Sequence, residues 1–103
     1  MINLTQAYGI GLAQHNINVN AVCPDLVWTP LWESIGLRAS STENQMAELT
    51  AREVFDTRIA SLVPLKREQT PQDIGNMIAF LVSDLAHNIT GQSINIDGGL
   101  RMN

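Results

Sequence analysis

The 103-residue chain has little of several things: one cysteine, one tyrosine, and six lysines and arginines in all. A lone Cys23 cannot form an internal disulfide. Its place at the end of an apolar run predicts a buried free thiol in a reducing compartment, the cytoplasm by default. The basic residues never cluster, and the net charge is −4, which argues against nucleic acid as a partner. Long apolar runs are also missing. The longest, Met77 to Val82, is far too short to span a bilayer, and the first residues have neither a basic region nor an unbroken apolar one, so no membrane partner is expected. His15 and His87 are isolated from other residues at metal-ligand spacing, and no metal site is expected.

What is present is ordinary for a small globular domain, 45% hydrophobic and 16% charged. From Met1 to about His15, Leu4, Tyr8 and Leu12 recur at helical spacing with Ala7 and Gly11 beside them, which predicts a helix packed on something flat. No N-cap or acidic first turn precedes it, so it reads as a helix entered midway. Asn16 to Cys23 alternates Ile17, Val19, Ala21 and Cys23 with Asn18, Asn20 and Val22 and stops at Pro24, the pattern of a strand. Thr29, Pro30 and Glu33 form a capping pattern for a short helix to about Arg38. Ser41 or Thr42 is expected to cap a longer helix running to about Leu62.

Thr70 as N-cap, Pro71 at N1 and Asp73 in the first turn open the clearest element. Ile74, Met77, Ile78, Leu81, Val82 and Leu85 then make one apolar face, predicting a helix to Asp84 or Leu85. Thr90-Gly91 leads into a strand over Gln92 to Ile96. Asp97-Gly98-Gly99 is a turn that needs positive φ. The order is helix, strand, helical excursion, helix, strand, which implies an α/β fold with a parallel sheet. Two strands make a poor sheet, so the expectation is the back part of a larger, doubly wound domain.

With the elements placed, the chain resembles the C-terminal part of a short-chain dehydrogenase/reductase. INLTQAYGIGLAQHNINVNAVCPDLVWTP resembles that family's last long helix, its sixth strand and its Pro-Gly-x-Val-x-Thr loop. PLKREQTPQDIGNMIAFLVSDLAHNITGQSINIDGG resembles its final helix and seventh strand. The resemblance covers essentially the whole chain. It implies a Rossmann-like sheet, NAD or NADP as cofactor, an alcohol or ketone as substrate, residues 30–63 as the substrate lid, and homo-oligomers formed through the 71–85 helix and the 92–97 strand.

It also implies which residues touch ligands. Around Val27 the loop backbone would hold the nicotinamide carboxamide and Thr29 would reach toward the cofactor, so Pro24, Asp25, Leu26, Val27 and Thr29 are the cofactor candidates. Trp28, Leu31 and Trp32 either wall the substrate pocket or anchor the lid helices. Asp25 stands where the family usually has glycine; if positive φ is kept there, aspartate tolerates it at about 1 kcal/mol, and its carboxylate would lie near the cofactor. No catalytic residue is expected among these positions. The family's serine and Tyr-x-x-x-Lys pair have no match: Tyr8 is followed four residues later by Leu12, and Lys66 is preceded at that spacing by Leu62. Two readings remain: part of an oxidoreductase, or a non-catalytic assembly or remnant module.

Overall fold

The computed structural model describes residues 2–31 and 50–102. It divides into two compact units, one made of Met1–Pro24 with Pro71–Ile96, the other of Asp25–Thr70 with Asp97–Asn103.

The first unit contains α1 (Ile2–Ala13), β1 (Ala21–Pro24), a later helix, a short 3-10 turn (Asp84–Ala86) and β2 (Ser93–Ile96). β1 and β2 pair in parallel, with Ala21 opposite Ser93 and Pro24 opposite Ile96. The parallel α/β arrangement is the one the alternation of elements predicts. The helix α1 ends in a Schellman motif in which Asn16, at φ 58°, fills the left-handed position. Its closing bonds run from Asn16 N–H to the Ala13 carbonyl at 2.9 Å and from Ile17 N–H to the Leu12 carbonyl at 3.3 Å.

α1 differs from expectation in the face it buries. Leu4 and Tyr8 are exposed, whereas Thr5 and Gly9 are buried. The reason is close approach: a Cβ on Gly9 would lie 2.9 Å from the Gly91 Cα, a distance only glycine permits. Small residues, not large apolar ones, set this contact.

β1 also starts later than the predicted strand, because Asn18 to Asn20 are tied down by side chains instead of a regular ladder. Asn18 Nδ2 donates to the carbonyls of Ala86 and His87 at 3.2 and 3.0 Å. Asn20 Nδ2 donates to the Ile89 carbonyl at 2.9 Å while its Oδ1 accepts from Gln92 N–H at 3.1 Å. Opposite them, Gly91 turns the chain at φ 73° while its N–H still donates to the Val19 carbonyl at 2.7 Å, and the regular strand β2 begins at Ser93. Cys23 is half-buried, not buried, since a two-stranded sheet covers it incompletely.

The helix that opens at Pro71 stops at Leu81, short of Asp84, because Ser83 takes an extended backbone (φ −86°, ψ 164°) and its hydroxyl donates to the Phe80 carbonyl at 2.6 Å. On its apolar face Ile74, Met77 and Leu81 are half-buried; Ile78, Val82 and Leu85 are exposed.

The second unit is organised by α2 (Ala51–Leu62). Thr50, extended at φ −72° and ψ 163°, is its N-cap, and its hydroxyl accepts from Glu53 N–H at 3.2 Å. Of the helix expected from Ser41 or Thr42 to Leu62, the described part begins at Ala51, after the Thr50-Ala51-Arg52-Glu53 capping pattern; the stretch before Thr50 lies outside the described residues. The short helix expected from Thr29 to Arg38 lies almost wholly outside the described residues. The face of α2 carrying Phe55 and Ile59 packs with Val63 and Leu26 into one core, against which Trp28 and Leu100 lean. We call the helix of the first unit that spans Pro71–Leu81 α3.

Candidate functional site

The candidate site is the loop that leaves the carboxyl end of β1, where open α/β sheets receive their ligands. Pro24 is the last residue of β1 and is exposed. Beyond it the chain dips into the core of the second unit. Leu26 is 5% exposed and packs with Phe55, Ile59 and Val63, so its side chain anchors the loop from below. Val27 forms an isolated parallel bridge with Gln69, and its N–H donates to the Asp25 carbonyl at 3.0 Å in a three-residue turn. Such a turn bond is short-range and readily exchanged for a ligand acceptor. Thr29 is half-buried; Leu31 is 67% exposed.

Trp28 is placed as an anchor. Its indole meets Phe55 edge to face at 5.2 Å and 67°, and the Arg52 guanidinium lies 5.2 Å from its centroid. Trp32 lies outside the described residues.

Asp25 departs from expectation in its backbone. It does not take positive φ, which among the described non-glycine residues belongs to Asn16 and Lys66. Nor does its carboxylate stand alone: Oδ2 accepts from Arg101 Nε at 3.1 Å. The partner comes from the turn after β2, too distant in sequence to be read as a pair. That turn is itself tightly bonded, with the Asp97 carboxylate accepting from the N–H groups of Gly99 and Arg101, both at 3.0 Å. Gly98 and Gly99 adopt φ 67° and 93°, as the Asp-Gly-Gly pattern requires.

A second cluster supports the loop and was not singled out in the sequence. Arg52 grips Glu68 in a two-pronged fork, Nη1 to Oε2 at 3.0 Å and Nη2 to Oε1 at 2.8 Å, while Nε reaches Asp56 at 3.1 Å. Its pKa is raised above the ordinary arginine value, chiefly by the hydrogen bond with Glu68. A raised cation loses its favoured charge only as pH climbs through that strongly alkaline value, so Arg52 stays charged across the neutral range. The i, i+4 spacing of Arg52 and Asp56 was a legible signal; the link to Glu68 was not. Gln69 is 5% exposed, its Nε2 donates to the Arg67 carbonyl at 3.3 Å, and its Oε1 is buried with no hydrogen-bond partner. Among the described residues no group of three or more His, Cys, Asp or Glu could hold a metal ion, and no helix is long and apolar enough to cross a membrane.

Comparison with known proteins bears directly on this arrangement. A family profile described as Enoyl-(Acyl carrier protein) reductase matches residues 1–101. The chain belongs to the short-chain dehydrogenase/reductase family. Within that family, the diacetyl reductase [(S)-acetoin forming] of Staphylococcus aureus is 40% identical over 98 residues, which is 95% of this chain and 36% of the relative. A short-chain dehydrogenase family protein of Francisella tularensis superposes with a TM-score of 0.83 at 30% identity, covering 96% of this chain and 39% of that one. An NADPH-dependent reductase involved in bacilysin biosynthesis superposes at a TM-score of 0.78 and 32% identity, covering 99% and 37%. The chain therefore spans little more than a third of the length of these short-chain dehydrogenase/reductase relatives and matches part of their Rossmann-like fold.

Proposed function

We propose that the chain forms the C-terminal part of one Rossmann-like domain in an NAD(P)-dependent oxidoreductase that interconverts an alcohol and a ketone. The observation that carries this reading is the loop at the carboxyl end of β1, anchored below by Leu26 and beside by Trp28, with Val27 backbone groups held in an exchangeable turn. A carboxamide offers one acceptor and two donors, and a strand-end backbone offers the matching N–H and C=O. In this reading Val27 holds the nicotinamide carboxamide, Pro24, Asp25 and Leu26 shape its approach, and Thr29 bonds to the cofactor. Leu31 and Trp32 begin a substrate lid over residues 30–63. The cofactor, when bound, supplies or accepts the hydride. These 103 residues contain no Tyr-x-x-x-Lys pair to move the accompanying proton. Diacetyl reduction in one relative and NADPH use in another support a small carbonyl substrate and leave NAD or NADP open.

A hybrid tests this. The 103 residues replace the matching segment of the Staphylococcus aureus diacetyl reductase, and NADH and NADPH oxidation is followed with diacetyl as substrate. Turnover is expected, and Thr29→Val in the hybrid raises the cofactor KM several-fold. A folded hybrid with no turnover, or one indifferent to Thr29→Val, counts against the reading. By itself the 103-residue chain is expected to bind neither dinucleotide tightly, because it has no glycine-rich phosphate loop.

The second reading, assembly without catalysis, is favoured by the apolar side chains left exposed at the end of α3, Val82 at 80% and Leu85 at 82%. In it the 71–85 helix and 92–97 strand meet a second copy. Sedimentation velocity on the chain and on Val82→Asp with Leu85→Asp decides: a dimer abolished by the pair of substitutions supports it, and a monomer in both rejects it.

A further inference from the structure

We infer that Arg52 is a positioning residue for the cofactor loop, an inference that rests on the reading of Val27 and Thr29 proposed above. The Arg52 plane is fixed by all three of its nitrogens: two bonds to Glu68 at 3.0 and 2.8 Å, one to Asp56 at 3.1 Å. So constrained, its Cζ lies 5.2 Å from the Trp28 ring centroid and 5.1 Å from that of Phe55. The two rings themselves meet at 5.2 Å, so three planar groups brace one another. Trp28 sits in sequence between the two residues assigned to the cofactor, so an anchor on its side chain limits the backbone motion of both.

The chain segment behind the fork reinforces this. Glu68, which orients Arg52, is followed at once by Gln69, which bridges Val27. One short segment thus holds the loop at two consecutive points, through the Arg52–Trp28 contact and through the Val27 backbone. Arg52 and Glu68 side chains are 40% and 32% exposed, and ion pairs this open contribute little to overall stability. Their geometric effect is larger than their energetic one, since a guanidinium is planar and directional where an ammonium is a point charge. A lysine at position 52 keeps the charge but cannot fork onto Glu68.

The test uses the full 103-residue chain, 15N-labelled, with Trp32→Phe to leave Trp28 as the sole indole signal. Relaxation of the Val27, Trp28 and Thr29 amides is measured without ligand, and then their shifts are followed on addition of reduced nicotinamide mononucleotide. Arg52→Met and Arg52→Lys are both expected to loosen these amides and to weaken the mononucleotide roughly fivefold, the scale of a partly exposed cation–π contact. The urea midpoint is expected to change little. Glu68→Gln, which weakens the fork with Arg52 still present, is expected to act in the same direction and serves if Arg52→Met does not fold. Unchanged loop relaxation and unchanged affinity in Arg52→Met overturn the inference; full rescue by lysine overturns it too, by showing that charge alone suffices. If Arg52 substitutions loosen the loop but Thr29→Val leaves the cofactor KM of the reductase hybrid unchanged, the cofactor reading fails and takes this role with it.

Discussion

Gly98→Ala is the sharpest structural test of the turn that follows β2. A Cβ built at Gly98 would lie 2.5 Å from Val63 Cγ1 and 3.0 Å from Gln69 Nε2. Carbon atoms rest about 3.5–4.0 Å apart, so Val63 must give way by more than an ångström. It has little room, being fully buried in the core with Leu26, Phe55 and Ile59. Overpacking of this kind costs about 1–3 kcal/mol, and a non-glycine residue at φ 67° costs about 1–2 kcal/mol more. Domain stability is of order 5–15 kcal/mol, with small domains toward the low end, so the loss is a large share of the total. Gly91→Ala separates the two contributions. Gly91 has φ 73° but nothing within 4 Å of its built Cβ, so it is expected to show the strain cost alone. Urea unfolding followed by circular dichroism measures both. Repeating Gly98→Ala in a Val63→Ala background, where Cγ1 is absent, is expected to bring its cost toward the Gly91→Ala value. Equal costs for Gly98→Ala and Gly91→Ala, or no relief from Val63→Ala, would refute the steric argument.

Four further expectations use the same unfolding assay. Gly9→Ala places a Cβ 2.9 Å from the Gly91 Cα, a backbone atom that cannot rotate away, and is expected to lose about 1–3 kcal/mol. Gly75→Ala in α3 meets nothing within 4 Å and is expected to gain up to about 1 kcal/mol from helix propensity; a loss would point to a contact not seen in the chain alone. Phe55→Ala removes a fully buried ring and the edge contact with Trp28, with an expected loss of about 3–5 kcal/mol and a shifted tryptophan emission. Asp25→Gly breaks a contact whose arginine is 78% exposed, so stability is expected to change by less than about 1 kcal/mol, and in the reductase hybrid the cofactor KM should stay level or fall. A marked rise in that KM would assign Asp25 a role the Arg101 pairing does not suggest.

The sequence carried the elements whose signals are local. Pro71 and Asp73 at the start of α3 and the Asp-Gly-Gly turn each depend on a few neighbouring residues, and each is where the pattern places it. What could not be read depends on partners distant in the chain. Helical spacing drew attention to Leu4 and Tyr8, but Gly9 packs against Gly91 because of what lies opposite it. Asn18 and Asn20 looked like the polar face of a strand, yet they bond carbonyls some seventy positions away, which shortens β1. Asp25 was read without Arg101, and Arg52 without Glu68, for the same reason. The cap at Thr50 is a different case, since Thr-Ala-Arg-Glu is a local capping pattern that was there to be read. The loop itself was legible as a strand end; how it is braced was not.

The most direct measurement of the central claim is a crystal structure of the diacetyl reductase hybrid with NADPH bound. The account predicts the nicotinamide carboxamide on the Val27 backbone, with the Val27 N–H released from the Asp25 carbonyl it donates to at 3.0 Å and Thr29 Oγ1 within hydrogen-bond distance of the cofactor. A carboxamide held elsewhere, with the turn bond between Val27 and Asp25 intact, would contradict it.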